Sequence, residues 1–173
     1  PFVRALERLT DAACPTIAAV DGAVRAGGIG LMASCDLVVV HESTTFALTE
    51  VRIGVAPAII AVPILRRVHP SQIASAMLTG EVFDAPTARQ MGLVTHVSTD
   101  VMATASQLCN GIRQGAPAAV AATKLVLNTV ATMERRDAYA AMAQLSNELF
   151  NGPDAAEGMA AFAEKRSPNW ARV

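Results

Sequence analysis

Two adjacent glycines, Gly27-Gly28, are the first feature of the sequence that could support chemistry. They follow a short apolar run, Thr16 to Val20, and begin a stretch with helical periodicity. The first N–H groups of a helix have no partner within it, and the helix dipole favours negative charge there. Without side chains to obstruct them, such N–H groups can bind an oxyanion or a polarised carbonyl oxygen. The alternative is that the glycines only permit a tight turn or close helix packing.

A glutamate, Glu50, is the second such feature. It ends the run Phe46-Ala47-Leu48-Thr49 and precedes the apolar Val51 and Ile53. A carboxylate in apolar surroundings loses solvation, which suits a group that exchanges protons near neutrality. The alternative is an ordinary surface glutamate, or a partner for Arg52.

Other familiar chemical motifs are missing from the sequence. The glycine-rich segment Ala26 to Gly30 has neither the dinucleotide-binding spacing nor a following Gly-Lys-Ser/Thr, and no serine lies in a G-x-S-x-G motif. The histidines and cysteines have no metal-type or redox spacing. The sequence therefore predicts no metal and no redox cofactor. These widely spaced residues are His41, His69, His96, Cys14, Cys35 and Cys109.

Composition restricts the class of protein. A chain of 173 residues that is 52% hydrophobic can bury one sizeable core. Its 14 Lys and Arg nearly balance 15 Asp and Glu, which argues against nucleic-acid binding. No apolar run is long enough to cross a bilayer. An odd number of scattered cysteines predicts a reduced, cytoplasmic protein whose three cysteines are buried.

The hydrophobic periodicity predicts an α/β part followed by an all-α part. A strand at Thr16–Val20, the glycine turn, a helix and a strand at Leu37–Val40 form a βαβ unit with parallel strands. Pro57 suits a helix start, whereas Pro63 should kink or interrupt that helix. We expect domains of residues 1–98 and 99–173. The other predicted strands are 44–48 and 93–97, and the predicted helices are 2–13, 72–78, 85–91, 107–114, 118–132, 137–150 and 155–165.

Together these segments resemble the enoyl-CoA hydratase/isomerase (crotonase) family. The resemblance rests on four stretches in the family's order and spacing: PTIAAVDGAVRAGGIGLMASCD (15–36), FALTEVRIGVAP (46–57), LTGEVFDAPTARQMGLV (78–94) and EGMAAFAEKRSPNW (157–170). It implies a crotonase-like spiral of ββα turns, followed by a helical region that forms a homotrimer or a dimer of trimers. The implied substrate is an acyl-CoA thioester.

The resemblance also implies roles for individual residues. Gly27 matches the second oxyanion-hole N–H, and Glu50 matches the distal catalytic glutamate. The other matched residues belong to the substrate-binding site, and Phe162 and Lys165 match residues that in family trimers can reach the CoA of a neighbouring subunit. These substrate-binding residues are Gly28, Gly30, Pro57, Phe162 and Lys165.

The sequence departs from the family pattern in two respects. Hydratases of the best-known type in this family carry a second glutamate where this sequence has Gly30. A single-glutamate isomerase is therefore an alternative, as is a non-catalytic CoA-binding or assembly subunit. The chain also has no initiator Met and begins within a helical pattern. We therefore expect a fragment that lacks the part of the family fold supplying the first oxyanion N–H.

Overall fold

A computed structural model of the chain describes residues 1–171 and divides it into two compact units, residues 1–107 and a second unit that begins at Leu108. The first unit contains six short strands, in chain order Ile17–Val20 (β1), Val24–Arg25 (β2), Leu37–His41 (β3), Thr45–Ala47 (β4), Phe83–Asp84 (β5) and His96–Ser98 (β6). Its helices are Phe2–Thr10 (α1), Gly27–Ala33 (α2), Ala58–Arg67 (α3), Pro70–Thr79 (α4), Ala85–Met91 (α5) and most of Val101–Ile112 (α6).

Two small sheets organise this unit. In the first sheet β3 lies between β1 and β6 and is parallel to both, with Ile17 opposite Leu37 and Val40 opposite Val97. A central parallel strand is covered on both sides, which explains the unbroken apolar run of β3. In the second sheet β4 is parallel to β2 and antiparallel to β5. The predicted βαβ unit of β1, α2 and β3 is confirmed.

The core of the first unit is aliphatic with one stacked aromatic pair. Val38, Val39 and Val40 are fully buried. Phe46 and Phe83, opposite each other on β4 and β5, stack with their ring centroids 5.3 Å apart. The aromatic pair belongs to the same buried hydrophobic cluster as Ile29 of α2 and Ile60 of α3.

The structure differs from the sequence-based expectations at three points. α3 continues through Pro63 and is not interrupted there, because tertiary packing of the helix outweighs one lost hydrogen bond. Strands β2 and β5 were not predicted, because they are only two residues long and leave no periodic signal. Cys14 and Cys109 are exposed, and only Cys35 is buried.

The second unit is helical, as predicted. It contains Pro117–Thr129 (α7), Arg135–Phe150 (α8) and Pro153–Ala163 (α9). The ring of Trp170 packs against Gly158, and its Nε1–H donates to the carbonyl oxygen of Gln114 at 3.1 Å. These contacts attach the C-terminal segment to α9 and to the loop before α7.

Candidate active site

The parallel pairing of β2 and β4 brings the two candidate features to the same sheet edge. Arg25 lies opposite Ala47, and the N–H of Ala26 donates to the carbonyl oxygen of Ala47 at 3.2 Å. Parallel strands end at the same edge, so the segments that leave their C-terminal ends emerge side by side. Gly27 begins α2 immediately after β2, and Glu50 lies in the 3-10 turn Thr49–Ile53 after β4.

The backbone is strained at the start of α2. Ala26 has φ 46° and ψ −118°, a region that a residue with a Cβ rarely adopts. The N–H of Ile29 donates to the carbonyl oxygen of Ala26 at 2.9 Å and closes the first turn. The N–H groups of Gly27 and Gly28 precede that closure, where a helix provides no i−4 acceptor.

Glu50 combines a fixed backbone with an unsatisfied side-chain atom. Its carbonyl oxygen accepts from the N–H of Val55 at 3.2 Å, and Gly54 closes the turn in the left-handed region at φ 81°. Its Oε2 is buried and has no hydrogen-bond partner among the described residues. A buried oxygen left without a partner is unfavourable unless something else supplies one. This makes Glu50 available to a ligand.

The surroundings of Glu50 match the sequence-based expectation on one side only. The apolar run 46–48 before it is fully buried, whereas Val51 and Ile53 after it are exposed, at 36% and 78%. Arg52 is not its partner, because its Nε–H donates to the carbonyl oxygen of Thr79 at 3.0 Å.

The remaining candidate residues of the first unit lie along α2 and at the start of α3. A Cβ on Gly27 would come 3.3 Å from the Phe2 ring, and one on Gly28 would come 3.1 Å from Val24. Gly30 is buried under α3. Pro57 is buried and forms the N-cap of α3.

Arg67, which the sequence did not single out, holds the other end of α2. From the last position of α3 its guanidinium donates to the carbonyl oxygens of Ala33, Cys35 and Asp36, the last at 2.9 Å. Burial lowers the pKa of Arg67 from its ordinary value, and the coulombic effects of Cys35 and Asp36 oppose that shift. An arginine thirty residues away leaves no local signal in the sequence.

Phe162 and Lys165 lie in the second unit, at the end of α9. The Phe162 side chain is 88% exposed. Lys165 is exposed, has φ 53°, and donates its N–H to the carbonyl oxygen of Phe162 at 3.2 Å. Arg166 then turns back and forms two hydrogen bonds to the Glu157 carboxylate, at 2.7 and 2.9 Å.

Within residues 1–171 no three His, Cys, Asp or Glu side chains come together in a way that could hold a metal ion. None of the helices in the described part of the chain has both the length and the apolar character to cross a membrane.

The chain belongs to the enoyl-CoA hydratase/isomerase family, whose model matches residues 1–172. It is 31% identical over 174 residues to the carnitinyl-CoA dehydratase of Proteus mirabilis, in a match that covers 95% of this chain and 66% of that protein. It is 33% identical over 159 residues to an enoyl-CoA hydratase of Mycobacterium tuberculosis, with 90% and 60% covered.

A solved structure confirms the crotonase-like fold. An enoyl-CoA hydratase/isomerase from Marinobacter aquaeolei matches with a TM-score of 0.93 at 30% identity, over 99% of this chain and 66% of that one. The chain thus spans 60 to 66% of the length of these three relatives.

Proposed function

We propose that the full-length protein is an enzyme acting on unsaturated acyl-CoA thioesters, with Glu50 as its general acid/base. The observation that carries the proposal is the β2–β4 pairing, which places the strained start of α2 beside the turn that holds Glu50. One element presents N–H donors and the other a carboxylate. A reaction at the carbon next to a thioester carbonyl needs both.

The N–H of Gly27 would stabilise the negative charge that develops on the thioester oxygen. Removing a proton from C2 converts the thioester to an enolate, and a donor aimed at that oxygen lowers the barrier. Glu50 would take or give the proton at the carbon skeleton. This chemistry uses N–H groups and a carboxylate, so the proposal includes no metal or redox cofactor; the CoA belongs to the substrate.

The other proposed roles come from the family resemblance. Gly28, Gly30 and Pro57 would contribute to the acyl-CoA site, and Phe162 and Lys165 would reach the CoA of a neighbouring subunit in a homotrimer or a dimer of trimers. The Phe162 side chain is 88% exposed, so a neighbouring subunit would bury its apolar surface in such an assembly. We further propose a cytoplasmic enzyme of fatty-acid or related acyl-CoA metabolism.

The test is a comparison of wild type with Glu50→Gln in the full-length protein, on a panel of C4 to C8 enoyl-CoA thioesters. Glu50→Gln should lower kcat/KM by about 100-fold or more, the usual contribution of a positioned acid/base group, while CoA still binds. Glu42→Gln, at an exposed glutamate, is the matched control and should retain activity. Full activity in Glu50→Gln would remove the role of Glu50. Binding of CoA without turnover by the wild type would favour a non-catalytic CoA-binding subunit.

A further inference from the structure

Helices α2 and α3 approach each other closely at Gly30. A Cβ built on Gly30 would lie 2.4 Å from Cγ2 of Ile60 and 2.8 Å from its Cβ. Real Cβ atoms do not come that close to other carbons, so no residue with a side chain fits there unless α3 shifts. Ile60 is itself only 4% exposed, so neighbouring residues enclose its side chain. Gly30 and Ile60 therefore form a size-matched pair.

This pair lies within the elements that form the candidate site. Gly30 is three residues after Gly27 on α2, so the two share a side of that helix. Ile60 is three residues after Pro57, in the first turn of α3, and α3 comes after the turn that carries Glu50. A side chain at position 30 would thus extend toward the start of α3.

The number of carboxylates in this site decides which reactions are accessible. Hydration of a 2-enoyl thioester forms a C3–O bond and a C2–H bond, so one group must take a proton from water while a proton is delivered to C2. Isomerisation of a 3-enoyl thioester removes a proton from C2 and returns it to C4, and the double bond moves to C2–C3. A single carboxylate can carry that proton in both directions.

We propose that Ile60 is a specificity-determining residue: by filling the space beside Gly30 it excludes a second carboxylate at position 30 and leaves Glu50 to act as the general acid/base. The inference rests on the proposed function and narrows it to isomerisation of 3-enoyl-CoA to 2-enoyl-CoA. Ile60 does not touch the reacting atoms in this scheme. It acts through the volume that it occupies.

The distances show which substitutions of Ile60 make room for a side chain at position 30. A Cβ on residue 30 would lie 3.5 Å from the Cα of Ile60, which is an ordinary contact, but only 2.8 Å from the Cβ of Ile60. Ile60→Gly therefore makes room for a Cβ at position 30, and Ile60→Ala does not. This gives a matched pair, Gly30→Glu/Ile60→Gly and Gly30→Glu/Ile60→Ala, that differs by one methyl group.

The experiment compares both double variants, Ile60→Gly alone and wild type in the full-length protein. Loss of enone absorbance reports hydration of 2-enoyl-CoA, and its appearance reports isomerisation of 3-enoyl-CoA. We expect wild type to favour isomerisation, and Gly30→Glu/Ile60→Gly to gain hydration by about ten-fold or more. Neither Ile60→Gly alone nor Gly30→Glu/Ile60→Ala should gain hydration activity.

A second measurement tests the packing without relying on turnover. Gly30→Ala should lower the Tm in the wild-type background and do so much less in the Ile60→Gly background. Equal losses in both backgrounds would overturn the size-matched pair. Efficient hydration by wild type, or by Gly30→Glu/Ile60→Ala, would overturn the role of Ile60 in specificity even if Glu50 proves essential. Absence of any enoyl-CoA turnover would instead remove the proposed function itself.

Discussion

At the residue scale, the backbone conformation of Ala26 in the candidate site is unusual for a residue that has a side chain. Its positive φ and its ψ of −118° are conformations that suit glycine. The hydrogen bond from its N–H to Ala47 and the one its carbonyl accepts from Ile29 hold it there. Backbone strain of this kind persists only where the surrounding structure enforces it, and it is concentrated at functional sites.

Relieving that strain should stabilise the protein. Ala26→Gly removes about 1–3 kcal/mol of strain, offset by about 0.5–1 kcal/mol of unfolded-state entropy, so we expect a net gain of about 1 kcal/mol in the free energy of unfolding. Urea denaturation measures it. Ala156→Gly, at an exposed position of α9, is the control and should lose about 0.5–1 kcal/mol. If Ala26→Gly lowered the free energy of unfolding as much as Ala156→Gly does, the strain assigned to Ala26 would be contradicted.

Some site residues could be predicted from the sequence because their signals are local. Gly27-Gly28 comes after a strand and begins a helix, and Glu50 ends a short apolar run. Other features depend on contacts between residues far apart in the chain. The pairing of β2 with β4 joins two short strands about twenty residues apart, and the Gly30–Ile60 contact joins two helices. Only the tertiary structure brings these residues together.

At the element scale, the position of α2 depends on its contacts at both ends. The helix has only seven residues, so its own hydrogen bonds hold it weakly. Its first turn is tied to β4 through Ala26, and its C-terminal carbonyl groups are bound by Arg67 of α3. The helices of the first unit thus orient the N–H groups of Gly27 and Gly28.

Removing the Arg67 guanidinium should destabilise the fold. Arg67→Met retains much of the apolar stem but leaves three partly buried carbonyl groups without their donor, and we expect a loss of about 2–3 kcal/mol. Chemical denaturation measures the change. Arg66→Met, at the exposed neighbouring arginine, should change stability by less than about 0.5 kcal/mol. Equal effects at the two arginines would refute the role assigned to Arg67.

The start of α5 should give a dependence of stability on pH. Asp84 is its N-cap, and hydrogen bonds from the Thr87 side chain and from the Thr87 backbone N–H lower the pKa of the Asp84 carboxyl. The backbone bond measures 2.9 Å from N to Oδ1. A carboxyl whose pKa is lower in the folded state stabilises at pH values above its unfolded pKa and loses that effect as the pH falls through the folded value.

Asp84→Ala should therefore be less stable than wild type at pH 7, and the difference should shrink as the pH falls below 3.8, the ordinary value. Thermal melts between pH 7 and pH 3 measure it. Asp84→Asn keeps a capping oxygen that does not ionise, so the stability of this variant relative to Asp84→Ala should vary much less with pH. If the stability difference between wild type and Asp84→Ala grew as the pH fell, the lowered pKa assigned to Asp84 would be contradicted.

At the scale of the whole molecule, the proposed assembly concerns the exposed end of α9. Phe162 is 88% exposed and lies three residues before Lys165, which adopts a left-handed conformation. A helix end that presents a phenylalanine to water gains stability when a partner covers it. We propose that the partner is a neighbouring subunit together with its bound CoA.

We expect the full-length protein to be a trimer or a hexamer by light scattering. Phe162→Ala should raise the Kd for CoA by about 3- to 10-fold, because truncation removes a buried aromatic contact from the assembled site. Met159→Ala, at another exposed position of α9, serves as the control and should leave the Kd nearly unchanged. The shared site would be ruled out if the wild type were monomeric and Phe162→Ala bound CoA with the wild-type Kd.

The most direct test of the central claim is proton exchange at C2 of a 3-enoyl-CoA in D₂O, followed by mass spectrometry. The account has the N–H groups at the start of α2 stabilising the enolate while Glu50 carries the proton. Wild type should therefore incorporate deuterium, and Glu50→Gln should do so about 100-fold more slowly or not at all. Incorporation at the wild-type rate in Glu50→Gln would contradict the assignment of Glu50.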